Sequence, residues 1–427
     1  MAGGRPRRRR AAHAALGAAA LSPLAGPRPA AAAGFRVGVG RGADPYATTQ
    51  RAVQASGEWP SSRMAGRTVL IKPNLVAGQL ATTGITTDPQ VVRALVDLAL
   101  AAGAAKVVIV EGGQGEAKFD ACGYGFFRTY RTGRVALLDL NEQPVVLAPV
   151  SGGLAYHGIY MPTLLFDASV VYVSAAKLKT HRWAGATLSV KNNFGLPAFD
   201  RYLPSASSTT RVSMHERGLH QTTVDLVLLR PIDFAVIDGI WGMEGNGPTG
   251  GTPIRADLVL AGQNAVAVDR AGLHAMQAPP ARVQHLTYAA LRGLGPADFA
   301  EVQLTGDPFT PLPFRQPEVP PILWRPNAVP RTFSPGSGQS AELSYRLDTP
   351  CLTRVDVVRM RDTNPETVHV RTLRDWTSRA AGMDRLTWDG RDDAGAVVPP
   401  EEYTVHVQGK YTADGERALA TGWVSVS

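Results

Sequence analysis

Short apolar runs that stop at polar or glycine-rich turns constrain this chain most. Residues 68–71 (TVLI) run into Lys72-Pro73-Asn74, and residues 106–110 (KVVIV) into Glu111-Gly112-Gly113. Residues 169–174 (SVVYVS) lead to Lys177-Leu178-Lys179-Thr180-His181, and residues 233–237 (DFAVI) close on Asp238-Gly239. Runs apolar on both strand faces fit strands covered by helices on both sides, as in a parallel sheet. The first two runs bracket a helix signal. Asp88 is a good N-cap and Pro89 suits the first helical turn. Val91, Val92, Leu95, Leu98 and Ala99 then recur at helical spacing, and Gly103 supplies a stop. The order predicts an α/β fold: a mostly parallel sheet with helices on both faces.

Further along, residues 222–229, 264–276 and 282–291 read as helices, and 35–39, 135–138, 145–147, 258–260 and 301–304 as short strands. Beyond Asp307 the pattern changes. Nine prolines fall in residues 308–337, a composition of a stiff linker or extended strap. From Ala341 a period-two alternation takes over, with turn signals at Trp388-Asp389-Gly390, which predicts a small all-β sandwich. The expected organisation is therefore an export signal over 1–33, an α/β domain over 34–307, a Pro-rich linker over 308–337 and a β-sandwich over 338–427.

Charge excludes one class of function. The 427 residues carry a formal +8, but Arg5, Arg7, Arg8, Arg9, Arg10 and Arg28 precede Ala33 and no acid does. The remainder is nearly neutral, so no phosphate-backbone footprint is expected and no nucleic-acid partner. The basic block, a weakly apolar Ala-rich run and the small residues 30–33 have the layout of a signal peptide. The adjacent arginines resemble a twin-arginine signal, which implies export to the periplasm, cell envelope or exterior. No later run is long and apolar enough for a transmembrane segment in the mature chain. Cys122 and Cys351 are far apart, so neither a disulfide framework nor an iron–sulfur cluster is expected.

In a parallel α/β sheet, ligands sit beyond the carboxyl ends of the strands. Four such ends converge on polar sequence: Lys72 to Asn74, Glu111 to Gly115, Lys177 to His181 and Asp238 to Gly247. An extended 177–181 segment places Lys177, Lys179 and His181 on one face and Leu178 and Thr180 on the other. Paired ammonium groups there suit a phosphate or carboxylate, or a lysine of lowered pKa acting as a base. Lys191, Asn192 and Asn193 add donors close by. Lys177, Lys179, His181 and Asp238 are thus the candidate catalytic groups, and Lys72, Asn74, Thr180, Lys191, Asn192 and Asn193 the candidate ligand-binding ones. Glu244 and Asp269 are candidate ligands for a divalent metal. The turn at 111–115 resembles a phosphate cradle without the full GxGxxG pattern, and the loop 238–247 has the glycines of a lid. No GxxxxGK[ST], GxSxG or HExxH pattern occurs.

Taken together, Ile71-Lys72-Pro73-Asn74-Leu75, Thr86-Thr87-Asp88-Pro89, Lys177-Leu178-Lys179-Thr180-His181, Lys191-Asn192-Asn193-Phe194-Gly195, Asp238-Gly239-Ile240, Glu244-Gly245-Asn246-Gly247-Pro248 and Ala267-Val268-Asp269 resemble the family called domain of unknown function 362, over roughly residues 35–307. The resemblance implies a shared α/β body and no settled activity. Some relatives carry ferredoxin-type cysteines, which this chain lacks. Leu386-Thr387-Trp388-Asp389-Gly390, Asp392-Asp393-Ala394-Gly395 and Tyr403-Thr404-Val405 resemble the Ig-like domain of flagellar hook-capping (FlgD) proteins, with Glu402 where that family usually has Gly. That resemblance implies an attachment module for an envelope or protein partner. The function expected is an exported enzyme or enzyme-like protein that binds a small anionic ligand at the strand ends. The alternatives are a non-catalytic cell-envelope binding protein and a maturation factor that handles a metal or cofactor for another exported protein.

Overall fold

The computed structural model describes residues 34–113, 118–203, 212–322, 326–362 and 364–427. The expected signal peptide at 1–33 and part of the 111–115 turn lie outside the described residues.

The chain opens with β1 (Phe35–Arg41), α1 (Pro45–Ser56), α2 (Ser61–Met64), β2 (Thr68–Pro73), α3 (Pro89–Ala101) and β3 (Lys106–Glu111). There follow β4 (Val135–Asp139), β5 (Val145–Pro149), β6 (Gly158–Pro162), β7 (Val170–His181) and β8 (Gly185–Thr187). The body continues through α4 (Val212–Glu216), α5 (Leu219–Leu229), β9 (Phe234–Glu244), β10 (Thr252–Gly262), α6 (Ala265–Ala275), α7 (Gln284–Leu291) and β11 (Val302–Gly306). The rest is β: β12 (Asn327–Val329), β13 (Thr332–Phe333), β14 (Ala341–Leu347), β15 (Cys351–Arg361), β16 (Asn364–Arg379), β17 (Gly382–Trp388), β18 (Glu402–Lys410) and β19 (Ala418–Val426).

One large, mainly parallel sheet organises the body, in the order β11-β1-β10-β9-β7-β2-β3-β4. The run β9-β7-β2-β3-β4 is parallel throughout, whereas β10 is antiparallel to both β9 and β1. Alternate residues of the parallel strands go to opposite faces. Val69, Ile71, Val107 and Ile109 pack on the side of α3, and Leu70, Val108 and Val110 on the side of α5. Both faces are covered, which is why these strands read as continuous apolar runs. Asp88 caps α3 by accepting from the Gln90 amide, as its position before Pro89 implies.

The strand β7 is the centre of the sheet. All twelve of its residues are buried, including Lys177, Lys179, Thr180 and His181. Its first half pairs with β2 and β9. Its last residues turn back as a hairpin with β8, in the register Lys179↔Thr187 and His181↔Gly185. The expected lid at 238–247 is corrected here. Residues 238–244 continue β9 and pair with β10 as far as Glu244↔Thr252, because Ile240 and Met243 bury their side chains and hold the ladder.

The later strands form a three-stranded sheet, β12-β14-β17, and a five-stranded sheet, β13-β19-β18-β15-β16. Leu343 and Trp388 of the first share a buried cluster with Val355, Tyr403 and Val405 of the second. Phe314 and Val319, from the Pro-rich stretch, are buried too, against the body and the later sheets respectively. The five-stranded sheet packs on the body. Trp423 enters the cluster under α5, and Arg217 ion-pairs with Asp362 and donates to the Met360 carbonyl. Among the described residues no helix is long and apolar enough to cross a membrane.

Candidate functional site

The ends of β2, β3 and β7 meet around a cavity of about 290 Å³, closed on one side by the turn at 191–195 and on the other by α4. Its wall contains Lys72, Asn74, Glu111, Lys179, His181, Arg182, Lys191 and Asn192, together with Leu75, Trp183, Thr187, Phe194 and His215.

Each strand delivers its group in a fixed pose. Lys72, on β2, donates to Glu111 Oε2 at 2.9 Å and to the Pro73 carbonyl at 2.9 Å. Glu111, on β3, also accepts from the amides of Leu75, Gly112 and Gly113. The glycine amides that resembled a phosphate cradle therefore already face a carboxylate of the chain, which corrects that expectation for the described part of the turn. Gly195 is required beside this pair: a Cβ there would stand 2.4 Å from Lys72 Nζ and 2.7 Å from Glu111 Oε1.

Lys179 reaches three oxygens, Asn74 Oδ1 at 3.0 Å and the carbonyls of Ile85 at 2.7 Å and Pro248 at 3.4 Å. Burial, and then the Lys191 and Lys177 ammonium groups, hold its pKa well below the ordinary lysine value. His181 ends the strand. Its Nδ1 accepts from the backbone amides of Trp183 at 3.1 Å and Ala184 at 3.2 Å, so the ring itself ties the β7–β8 turn. Burial, followed by the Lys191 charge, keeps the imidazole neutral, with a pKa well below the ordinary value. A neutral ring that accepts at Nδ1 carries its proton on Nε2.

The turn carrying Lys191 to Asn193 is anchored from three directions. Asp269, buried in α6, accepts from the amides of Ser189 at 2.7 Å and Val190 at 3.0 Å. Asn192 donates to the Lys72 carbonyl and Ser174 Oγ, and Asn193 accepts from the Tyr172 hydroxyl and donates to the Arg230 carbonyl. Lys191 lies over the Phe194 ring, 4.8 Å from its centroid.

Six of the twelve expected site residues thus line the cavity: Lys72, Asn74, Lys179, His181, Lys191 and Asn192. The other six have different places. Lys177 and Asp238 form a fully buried ion pair at 2.8 Å, away from the cavity wall. Asp238 also accepts from the amides of Asp88 and Ile240, so the pair ties β7, β9 and the start of α3 together. Thr180 bonds the Gly245 carbonyl, and Asn193 holds the turn from behind. The two expected metal ligands meet other partners. Glu244 is taken by Arg315, through the backbone amide at 2.8 Å and the guanidinium at 2.7 Å. Asp269 is taken by two backbone amides, and among the described residues no three His, Cys, Asp or Glu side chains group as a metal site. Sequence reasoning did not select Glu111, Trp183, Thr187, Phe194 and His215. Glu111 follows an apolar strand just as Lys72 does, and that parallel is the signal that identifies it.

Residues 69–274 match the family described as a domain of unknown function, DUF362. The match contains every described residue of the cavity wall and all twelve expected site residues, and is narrower than the span expected. A curated relative, the thylakoid-associated protein sll1697 of Synechocystis sp., is 27% identical over 243 residues, which are 54% of this chain and 70% of that protein. Among solved structures, FlgD from P. aeruginosa is similar over 21% of this chain and 64% of its own length, at 24% identity and a TM-score of 0.17. The alkylpurine DNA glycosylase AlkC of Pseudomonas fluorescens is similar over 24% of this chain and 29% of its own, at 19% identity and a TM-score of 0.16. The chain spans less than two thirds of either neighbour, and scores this low carry no argument about fold or function.

Proposed function

We propose that the α/β body binds a small anionic ligand, a phosphate or a carboxylate, in the cavity at the ends of β2, β3 and β7. One observation carries the reading. Among the described residues the cavity wall holds four basic side chains, Lys72, Lys179, Arg182 and Lys191, and one carboxylate, Glu111. Glu111 pairs with Lys72 and Arg182 with Glu416 at the rim, and the excess of basic over acidic side chains on the described wall favours an anionic ligand. The volume is close to the lower end of the ~300–1,000 Å³ usual for ligand pockets, so the ligand is small. An amine of lowered pKa beside a neutral imidazole donor is enzyme-like, with Lys179 able to accept a proton and His181 to polarise an oxygen. The basic N-terminal block and Ala-rich run support export, and a thylakoid-associated relative is in keeping with an envelope location. The C-terminal sheets, read as an Ig-like module, would hold the body to an envelope partner.

Isothermal titration of the full chain with inorganic phosphate and with acetate tests the reading. It predicts saturable one-site binding of at least one of them. Affinity should weaken as pH rises through a range below the ordinary lysine pKa, because Lys179 then loses its charge. The absence of binding by both anions would reject it.

A further inference from the structure

The cavity has a second character that the charge count does not explain. Beside the cations, one wall is aromatic. The rings of His181 and His215 lie nearly parallel with centroids 6.1 Å apart, Trp183 meets His215 edge-on at 5.8 Å, and Phe194 lies 4.9 Å from His215. Leu75 and Val76 continue the apolar lining. A site built only for a free inorganic anion, which is hydrated on every side, has no use for such a wall.

Two polar groups sit where the aromatic and basic walls meet. His181 is 4% exposed, and its Nδ1 is fully used by the Trp183 and Ala184 amides. The proton is therefore on Nε2, at the other edge of the ring, and no described residue accepts it. The Thr187 hydroxyl, opposite Lys179 in the β7–β8 ladder, is buried and also lacks a hydrogen-bond partner. A buried hydroxyl left unpaired, as that of Thr187 is, costs roughly 1–3 kcal/mol. Both belong to residues on the cavity wall, and both are satisfied at once by a ligand that brings oxygen atoms to that corner.

We propose that the ligand is an aromatic or similarly flat acid: a carboxylate or phosphate carried on a planar ring. This rests on the anion-binding reading above. The acidic oxygens accept from His181 Nε2–H and the Thr187 hydroxyl and lie within the field of Lys179 and Lys191. The ring packs along His215 and Trp183, where flat surfaces stack favourably. The tautomer of His181 is set by the backbone of its own turn, so the donor is in place before the ligand arrives. That spares the ligand the cost of arranging it.

Matched pairs of probes separate this inference from the one beneath it. The full chain is titrated with inorganic phosphate and phenyl phosphate, with acetate and benzoate, and with phenol as the ring alone. The proposal predicts that phenyl phosphate binds about tenfold or more tighter than phosphate, or benzoate than acetate, while phenol does not bind. Whichever pair shows the gain identifies the acidic group. If phosphate or acetate binds but neither ring-bearing partner binds tighter, the aromatic-acid inference is overturned and the anion site stands. If none of the four acids binds, both fall. Binding of phenol as tight as that of the acids would overturn both as well.

Discussion

Two buried lysine–carboxylate pairs stand at neighbouring strand ends, and they differ in what lies beside them. Lys177 and Asp238 join β7 to β9 with both side chains fully enclosed. Lys72 and Glu111 join β2 to β3, nearly as buried, but form part of the cavity wall. Both carboxylates also collect backbone amides: two for Asp238 and three for Glu111. The chemistry is the same, and the use is not. The first pair is a strut beneath the site. The second is a strut with one side open to whatever the cavity holds.

The largest effect that would break this comparison is at the enclosed pair. Lys177→Met leaves the Asp238 carboxylate buried without its cation and is expected to cost about 3–5 kcal/mol in urea denaturation. Lys72→Met should cost less, because Glu111 keeps three backbone donors and borders the cavity. Equal losses would erase the distinction between the two pairs.

Asp269 comes next, since it holds the turn that carries Lys191. Asp269→Asn turns one accepting oxygen into a donor facing an amide and should cost about 1–3 kcal/mol. Burial raises the Asp269 pKa from 3.8 to about 7. A carboxyl whose pKa rises on folding contributes stability that is complete below its unfolded value and is lost as pH rises through its folded one. Thermal stability of the wild type should therefore decline between pH 3.8 and about 7 more steeply than that of the Asn variant. Parallel pH profiles would contradict the assignment.

Two smaller effects sharpen the account on the open side. Lys191→Met is expected to weaken phosphate or acetate binding about tenfold while shifting the melting temperature less than Lys177→Met does. A variant that melts early and binds normally would put Lys191 with the struts. Thr187→Val removes a buried hydroxyl that has no partner in the free protein, so its stability should hold or rise slightly while affinity falls about threefold. Titration of the variant beside a thermal melt checks both halves.

The sheet was legible because a strand covered on both faces leaves an unmistakable mark, and Asp88-Pro89 marks the start of α3. The crevice was legible too, because polar groups cluster where apolar runs end. What the letters could not separate was the role of each polar group. Lys177 and Lys179 are two residues apart on one strand, yet one meets Asp238 and the other meets Asn74 and two carbonyls at the cavity. That difference depends on the register shift between them, which sets Lys177 opposite Asp238 and Lys179 opposite Met243 of β9, and on partners from other strands. Glu244 and Asp269 looked like spare acids because Arg315 and the amides of Ser189 and Val190 are far away in sequence. The glycines after Asp238 looked like a loop, although β10 was waiting to pair with them.

The central claim, that the open corner beside Lys179, His181 and Lys191 is an anion site, is tested most directly by diffraction. Crystals of the full chain soaked in selenate should show an anomalous selenium peak in the cavity, with oxygens within about 3.2 Å of His181 Nε2 or Lys191 Nζ. A cavity without such a peak, while selenate binds at surface arginines, would contradict the account.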